Sequence, residues 1–145
     1  MTKKDSLRDI EREMRTVLHR VRRTSIENAQ LIDPGLPVTA YPVLLFIADN
    51  GTVRAQDVVE AMGLDKATIS RQLAQLQELG LVDRTADPAD RRAFSVGLTK
   101  HGQSKVDALA TRRRAEFMER LDGWSADDLE QLADFLSRYN TSLEG

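Results

Sequence analysis

Polar and cationic side chains between Lys66 and Gln75 have types and spacings that suit contacts with nucleic-acid bases and phosphates. Arg71 is able to form two hydrogen bonds with a guanine, and Gln75, about one helical turn later, two with an adenine. Small side chains on the same face would let a helix backbone approach a groove closely. The helix N-terminus also favours phosphate groups near its first turn. The candidate contact residues are Lys66, Ala67, Thr68, Ser70, Arg71 and Gln75.

A second polar group lies between two short β-like runs at residues 81–85 and 94–98. Asp90 and Arg92 are two positions apart, which places them on one side of the chain if it is extended there. Arg91 adds another cation suited to phosphate. The alternative is a surface ion pair in a mobile loop, which contributes ~0–1 kcal/mol to stability. We expect all three residues to be contact residues.

The order of the elements around these residues predicts a winged helix-turn-helix. A short helix at about residues 55–62 precedes a longer one at about 66–79, with Asp65 as its N-cap and Gly80 at its end. The two β-like runs follow. One side of the longer helix is apolar and is expected to face the core, with Ile69, Leu73, Leu76 and Leu79. The predicted fold class is therefore mainly α with a small β-wing.

The segment from Leu64 to Gly102 resembles the MarR family of transcription regulators. The resemblance rests on a wing pattern of Asp-x-Arg followed by Leu-Thr-x-x-Gly, carried here by Asp90, Arg92, Leu98, Thr99 and Gly102. It implies that Arg92 enters a DNA minor groove while Asp90 holds its guanidinium in place. A narrow, A·T-rich groove would suit this arrangement because of its negative potential. The pattern also makes Thr99 the N-cap of the next helix.

Long helices are expected on both sides of this unit. Residues 5–31 carry apolar side chains at alternating spacings of three and four, as in a coiled coil, and Ser125 is the expected N-cap of a last helix. Winged helices usually bind DNA as pairs, so we expect these helices to form a homodimer. The alternative is an ordinary intramolecular core. The candidate interface residues are Leu7, Ile10, Met14, Phe135, Leu136 and Tyr139.

The predicted architecture is a winged helix-turn-helix flanked by long N- and C-terminal dimerisation helices. The run Asp-Pro-Gly-Leu-Pro at residues 33–37 breaks the chain after the first helix. A second helix is then expected after Thr39 as its N-cap, ending at Asn50. We expect one compact chain with an N-terminal dimerisation helix at 1–34, a DNA-binding unit at 35–100 and C-terminal dimerisation helices at 101–145.

A small-molecule effector is implied by the family resemblance. Regulators of this family commonly release DNA when an aromatic or phenolic ligand lodges between the dimer helices and the winged domain. Arg15 and His19, about one helical turn apart, would together suit an acidic group on such a ligand. Tyr41 and Phe46 are the aromatic candidates, with Trp124 as a further one. The alternative is that Tyr41 and Phe46 belong to the core and Trp124 anchors a helix junction.

Composition excludes several other kinds of site. The chain of 145 residues has no cysteine, which excludes disulfides, thiolate zinc sites and cysteine-based redox sensing. The net charge of −2 does not argue against nucleic acid, because its distribution is uneven. Residues 1–32 hold eight basic and five acidic side chains, whereas residues 101–145 hold six and nine. We expect a cytoplasmic protein, since no apolar run is long enough to span a bilayer and the N-terminus has no signal region.

Two rival functions differ from a sequence-specific regulator. We expect no enzymatic activity, cofactor or metal, because His19 and His101 lie in different predicted helices and no phosphate-binding loop or metal-ligand spacing is present. A winged helix used only for protein contacts would bind DNA weakly and without sequence preference. Arg71 and Arg92 argue against that alternative. The expected function is a homodimeric repressor that binds double-stranded DNA at a pseudo-palindromic operator, without a membrane partner.

Overall fold

The computed structural model describes residues 1–90 and 92–145, and its contacts divide the chain into two units, Met1–Leu109 and Ala110–Gly145. The chain is mostly helical with a small antiparallel sheet, which confirms the predicted fold class. No described helix is long and apolar enough to cross a membrane. The elements are α1 (Lys3–Ile32), α2 (Tyr41–Asn50), β1 (Val53–Arg54), α3 (Ala55–Met62), α4 (Lys66–Glu78), β2 (Val82–Ala86), β3 (Phe94–Leu98), α5 (Lys100–Arg120) and α6 (Ala126–Ser142).

Side-chain caps define where several helices begin. The Asp65 carboxylate accepts from the backbone N–H of Thr68 at the start of α4, and Ser125 Oγ accepts from that of Asp128 at the start of α6. Both N-caps were predicted from the sequence. A cap of this kind contributes about 1 kcal/mol because it satisfies a backbone donor that the helix leaves free. Thr2 caps α1 in the same way, in a reciprocal arrangement with Asp5 that the sequence pattern did not reveal.

The prediction that Thr39 is the N-cap of the second helix is wrong. The helix begins at Tyr41 with Ala40 as its N-cap, and no side chain caps it. Val38 and Ala40 instead form part of a turn in which main-chain bonds replace the cap: Ala40 N–H donates to Pro37 O, and Tyr41 N–H donates to Val38 O. Because Ala40 and Tyr41 are fully buried there, packing rather than capping decides the start of α2.

The sheet has the strand order β1-β3-β2, with both pairs antiparallel. Val82 is opposite Leu98 and Ala86 is opposite Phe94, so residues 87–93 connect the two wing strands. The inner face of the sheet, which carries Val82 and Val96, packs into the core, while the next residues along each strand face outward. The third strand, β1, was not predicted, since two residues are too few to show a period.

The core of the first unit combines the inner face of the sheet with α2, α3, α4 and the end of α1. Ile69, Leu73 and Leu76 of α4 are fully buried and Leu79 is partly buried, which confirms the apolar side predicted for that helix. Burying a leucine or isoleucine side chain contributes about 1.5–3 kcal/mol. This packing fixes the rotation of α4 about its own axis. It therefore determines which residues of α4 face solvent.

The Leu-Thr-x-x-Gly pattern joins the start of α5 to the end of α4. Thr99 Oγ1 donates to the carbonyl of Gly80 at 2.6 Å and accepts from the backbone N–H of Gly102 at 2.9 Å. The Thr99 N–H donates to Leu81 O at 3.1 Å. Thr99 is thus the N-cap of α5, as predicted. Gly102 lies so close to the main chain of Leu81 that a Cβ would overlap its carbonyl group.

The second unit consists of the C-terminal part of α5, a turn at residues 121–124 and α6. None of its residues, all of which are described, is buried. Phe135, Leu136 and Tyr139 lie on α6 with about half of their surface exposed. An apolar side chain that remains this exposed gains little from the hydrophobic effect within the chain.

Candidate nucleic-acid interface

The face of α4 opposite the core consists of small, polar and cationic side chains. Its exposed residues include Lys66, Ala67, Ser70, Arg71 and Gln75, and Thr68 is partly buried. Five of the six candidates from this helix are therefore exposed to solvent. Ala67, Ser70 and Ala74 add little bulk beyond the backbone, which would permit close approach to a groove about 12 Å wide.

A short hydrogen-bonded chain fixes Arg71 at the start of this helix. The hydroxyl of Thr68 donates to Asp65 Oδ1, and Arg71 Nη2 donates to Thr68 Oγ1 at 3.4 Å. The Thr68 hydroxyl has only one hydrogen, which Asp65 takes, so Thr68 orients Arg71 instead of donating to a phosphate in this conformation. The guanidinium has further N–H donors, and because Arg71 is exposed they remain accessible to a base edge or a phosphate.

The hydrogen bond from the Thr68 side chain lowers the pKa of Asp65 below its ordinary value of 3.8. Desolvation opposes this shift, while the Thr68 backbone N–H and the charge of Arg71 add to it. Asp65 is therefore ionised at neutral pH. Its charge sits at the positive end of the α4 dipole, where an anion is favourable.

The wing places Asp90 and Arg92 at the exposed end of the hairpin. Asp90 Oδ1 accepts from the backbone N–H of Arg92 at 3.0 Å, and its carbonyl accepts from Ala93 N–H at 3.1 Å. The family resemblance implied a contact between Asp90 and the Arg92 guanidinium. In this structure Asp90 instead shapes the main chain of the turn, because a carboxylate two residues before an N–H readily closes such a turn. Arg91 lies outside the described residues.

Asp87 organises the base of the wing and was not predicted from the sequence. Its backbone N–H donates to Ala93 O at 3.1 Å, and its Oδ1 accepts from Ala89 N–H at 2.9 Å. Its Oδ2 lies 3.4 Å from Arg54 Nη2 in an ion pair. The Asp-Pro-Ala-Asp sequence at residues 87–90 signals a turn, but nothing local to it indicates the distant partner.

Arg84 is a further cation of the wing that was not predicted from the sequence. Its guanidinium carbon lies 3.7 Å from the centre of the Phe94 ring, in a cation–π contact. Such a contact contributes about 0.5–1 kcal/mol at an exposed site and reduces the freedom of the side chain. The sequence did contain an indication of this contact. Val82, Arg84 and Ala86 are alternate residues of β2, so their side chains lie on the same, inner side of the strand.

The outer face of β3 carries little that could reach a phosphate. Gly97 lies beside Thr52, the residue before β1, and a Cβ there would come within 2.9 Å of Thr52 Oγ1. A larger residue at this position would therefore require the Thr52 side chain to move.

The predicted ligand residues do not share one environment. Tyr41 is buried in the core of the first unit, and Phe46 packs against that core. Arg15 and His19 are exposed on α1. Trp124 borders a cavity in the second unit that contains none of these four residues. The effector site stays a prediction, as does a contact role for each candidate residue of α4 and the wing.

Within the described part of the chain, no cluster of three or more His, Asp or Glu side chains is arranged to hold a metal ion.

Comparisons with known proteins agree with this arrangement. Residues 35–93 match the model of the MarR family. The chain is 34% identical over 102 residues to the transcriptional regulator HosA of Escherichia coli O111:H-, covering 68% of this chain and 76% of HosA. It is 33% identical over 88 residues to the HTH-type transcriptional repressor NicR of Pseudomonas putida, covering 61% of this chain and 56% of NicR.

Solved structures show the same fold. A mutant MarR from E. coli, crystallised with operator DNA, superposes with a TM-score of 0.70 at 19% identity, over 96% of this chain and 99% of that one. The winged helix-turn-helix described above, the match over residues 35–93 and the similarity to HosA lead to one conclusion. This chain belongs to the MarR family of DNA-binding transcriptional regulators.

Proposed function

We propose that this protein is a homodimeric repressor that binds a pseudo-palindromic operator through α4 and the wing. The main support for the proposal is the position of Arg71. Its guanidinium donates a hydrogen bond to Thr68, and it lies on the solvent-facing side of α4, whose opposite side packs into the core. The sequence-reading helix of a helix-turn-helix contacts base edges through residues of its N-terminal half. Arg71 lies in that half of α4.

Base recognition is assigned to Arg71 and Gln75. A bidentate contact from Arg71 to guanine would discriminate against the wrong base by about 1–3 kcal/mol. Gln75, one turn further along the same exposed face, would pair with an adenine. Lys66 and Ser70 would contact phosphates and thereby set the position of the helix without reading sequence. We therefore expect a short half-site with one strongly selected G·C pair.

The wing would extend the half-site into the neighbouring minor groove. Arg92 is exposed at the hairpin end and is the described cation best placed for that groove. An arginine prefers a narrow minor groove because its negative potential is enhanced. We therefore expect A·T-rich flanks around each half-site, selected through shape and not through hydrogen bonds to bases.

Dimerisation is supported by apolar side chains that the single chain leaves exposed. Ile10 on α1 is 53% exposed and Phe135 on α6 is 60% exposed. Leu7, Leu136 and Tyr139 are also about half exposed, and Met14 is partly buried. Helices with this many exposed apolar groups usually mark an interface. In a two-fold dimer, the two α4 helices would enter major grooves about 34 Å apart.

Repression is proposed because a dimer bound at a promoter excludes polymerase from it. NicR is named a repressor, and the MarR neighbour was solved on operator DNA, which supports the same role here. A small aromatic or acidic effector would release the operator by favouring a dimer with the wrong half-site spacing. Arg15 and His19, exposed on α1, remain the candidates for an acidic group of that effector.

The test is selection of duplexes from a random pool at physiological salt, followed by sequencing. We expect an enriched inverted repeat whose half-site centres lie about one helical turn apart. The Arg71→Ala variant should lose preference at one position in each half-site. Arg120→Ala removes an exposed cation from the other unit and serves as the matched control. A folded, dimeric wild type that enriches no sequence would instead support a winged helix used for protein contacts.

A further inference from the structure

The wing is tied to the helix-turn-helix through the side chains of Arg54 and Asp87. Arg54 is opposite Ser95 across β1 and β3, and Ser95 is opposite Thr85 across β3 and β2. Asp87 follows Thr85 by two positions, so its side chain is directed to the same outer face as that of Arg54. The ion pair at 3.4 Å therefore reaches over β3 and links β1 to the residue that follows β2.

Both partners of this pair are also part of the main-chain framework. The backbone N–H of Arg54 donates to Asp57 Oδ2 at 3.1 Å, at the start of α3. Asp87 holds the base of the wing turn through Ala93 and Ala89. The side chain of Asp87 is 18% exposed although its neighbours in the turn are open to solvent, whereas that of Arg54 is 68% exposed.

We propose that the Arg54–Asp87 pair positions the wing for DNA and that Asp87 acts through Arg54 and the turn, without contacting DNA itself. The inference rests on the proposed function. The end of the hairpin carries Arg92, which lies beyond Ala86 and Phe94, the last paired residues of β2 and β3. Fixing the turn at Asp87 reduces the conformational freedom that Arg92 loses on binding.

The proposal can be tested by whether removal of the Asp87 charge strengthens or weakens DNA binding. A carboxylate near DNA repels the phosphates, so removal of its charge alone should strengthen binding or leave it unchanged. A carboxylate that positions the wing has the opposite effect, because its removal releases the turn. Asp87→Asn keeps the size of the side chain and removes the charge. Asp83→Asn is the matched control, since Asp83 is exposed on β2 and has no ion pair with another described residue.

The experiment measures the dissociation constant for the selected operator by fluorescence anisotropy at several salt concentrations. We expect Asp87→Asn to bind about two- to fivefold more weakly, the size of effect typical of a partly exposed ion pair. Asp83→Asn should bind equally or more tightly. Arg54→Gln should resemble Asp87→Asn, whereas Arg54→Lys should restore binding. The slope of affinity against salt should be unchanged in Asp87→Asn, because no phosphate contact is lost.

A double variant separates positioning from an independent phosphate contact by Arg54. If the pair acts as a unit, Arg54→Gln with Asp87→Asn should bind no more weakly than the weaker single variant. Additive losses would overturn the proposal, because each residue would then act alone. It would also be overturned if Asp87→Asn bound the operator as tightly as Asp83→Asn.

Amide hydrogen exchange in the free protein tests the same proposal without DNA. Exchange at the amides of residues 87 and 93 should accelerate in Asp87→Asn relative to Asp83→Asn, because both amides donate within the turn. Equal exchange in the two variants would contradict the role of the pair. A wild type that selects no operator would disprove the proposed function, and the exchange result would still decide whether the pair holds the wing.

Discussion

Replacement of Gly102 by alanine probes the junction between α4 and α5. An added Cβ would overlap the Leu81 carbonyl oxygen and lie 2.9 Å from the carbonyl carbon, where ordinary contacts begin at 3.4 Å. The obstacle is main chain, which cannot rotate away as a side chain would. The first turn of α5 must therefore shift by at least several tenths of an ångström.

The loss in the free energy of unfolding can be estimated from the contacts that this shift of α5 disturbs. The shift strains the bond from Thr99 N–H to Leu81 O and the bond from Thr99 Oγ1 to Gly80 O, each contributing about 1 kcal/mol. Overpacking of a buried site costs about 1–3 kcal/mol, and alanine recovers up to about 1 kcal/mol through its helix propensity. We expect a net loss of about 2–4 kcal/mol in the free energy of unfolding.

The assay is urea unfolding followed by circular dichroism at one protein concentration, with thermal unfolding in parallel. A loss of this size should lower Tm by roughly 4–16 °C in a chain of this length. Gly123→Ala is the control, because no atom lies within 4 Å of a Cβ there and the backbone is not left-handed. It should change stability by less than about 0.5 kcal/mol. If Gly102→Ala were as stable as Gly123→Ala, the close packing of α5 on Leu81 would be refuted.

Four further predictions concern the interface and its supports. Arg92→Ala should weaken operator binding while leaving the dimer intact by sedimentation, and unchanged affinity would remove the wing from the interface. Arg71→Ala should lose about 1–3 kcal/mol of preference at one base pair in each half-site; a loss equal for all sequences would make it a phosphate contact. Asp65 has a lowered pKa in the folded protein. Its stabilising effect is therefore present above its ordinary pKa of 3.8 and declines as pH falls through the folded pKa. In Asp65→Asn, the urea concentration at the unfolding midpoint should depend less on pH in the acid range. Thr99→Val should lower the free energy of unfolding by about 1–3 kcal/mol, because Gly80 O and Gly102 N–H lose their partner; a neutral result would mean that solvent satisfies both groups.

Local patterns in the sequence were sufficient to predict α4 and its surroundings. The spacing of Ile69, Leu73 and Leu76 identified the buried side of the helix, and Asp65 identified its first turn. The helix α3 ends at Gly63, which takes the left-handed conformation at φ 66° that glycine favours. These features depend on residues within one or two turns of each other, so a single sequence contains them.

Contacts between distant parts of the chain were not predictable in the same way. Thr39 has the right chemistry for a cap, yet burial of Ala40 and Tyr41 moves the start of α2. Asp87 has the right chemistry for closing a turn, yet it also forms an ion pair with the distant Arg54. The same residue type suits several partners, and only the folded chain shows which partner is near enough.

The sequence by itself determined the helical periods, the N-caps of α4, α5 and α6, the position of the wing and the family, because each is a property of neighbouring residues or of a compact motif. Only the tertiary structure decided that Arg54 is the partner of Asp87. The physical reason is that an ion pair depends on a separation of a few ångströms in space. Arg54 and Asp87 reach that separation only because β1 and β2 lie on either side of β3.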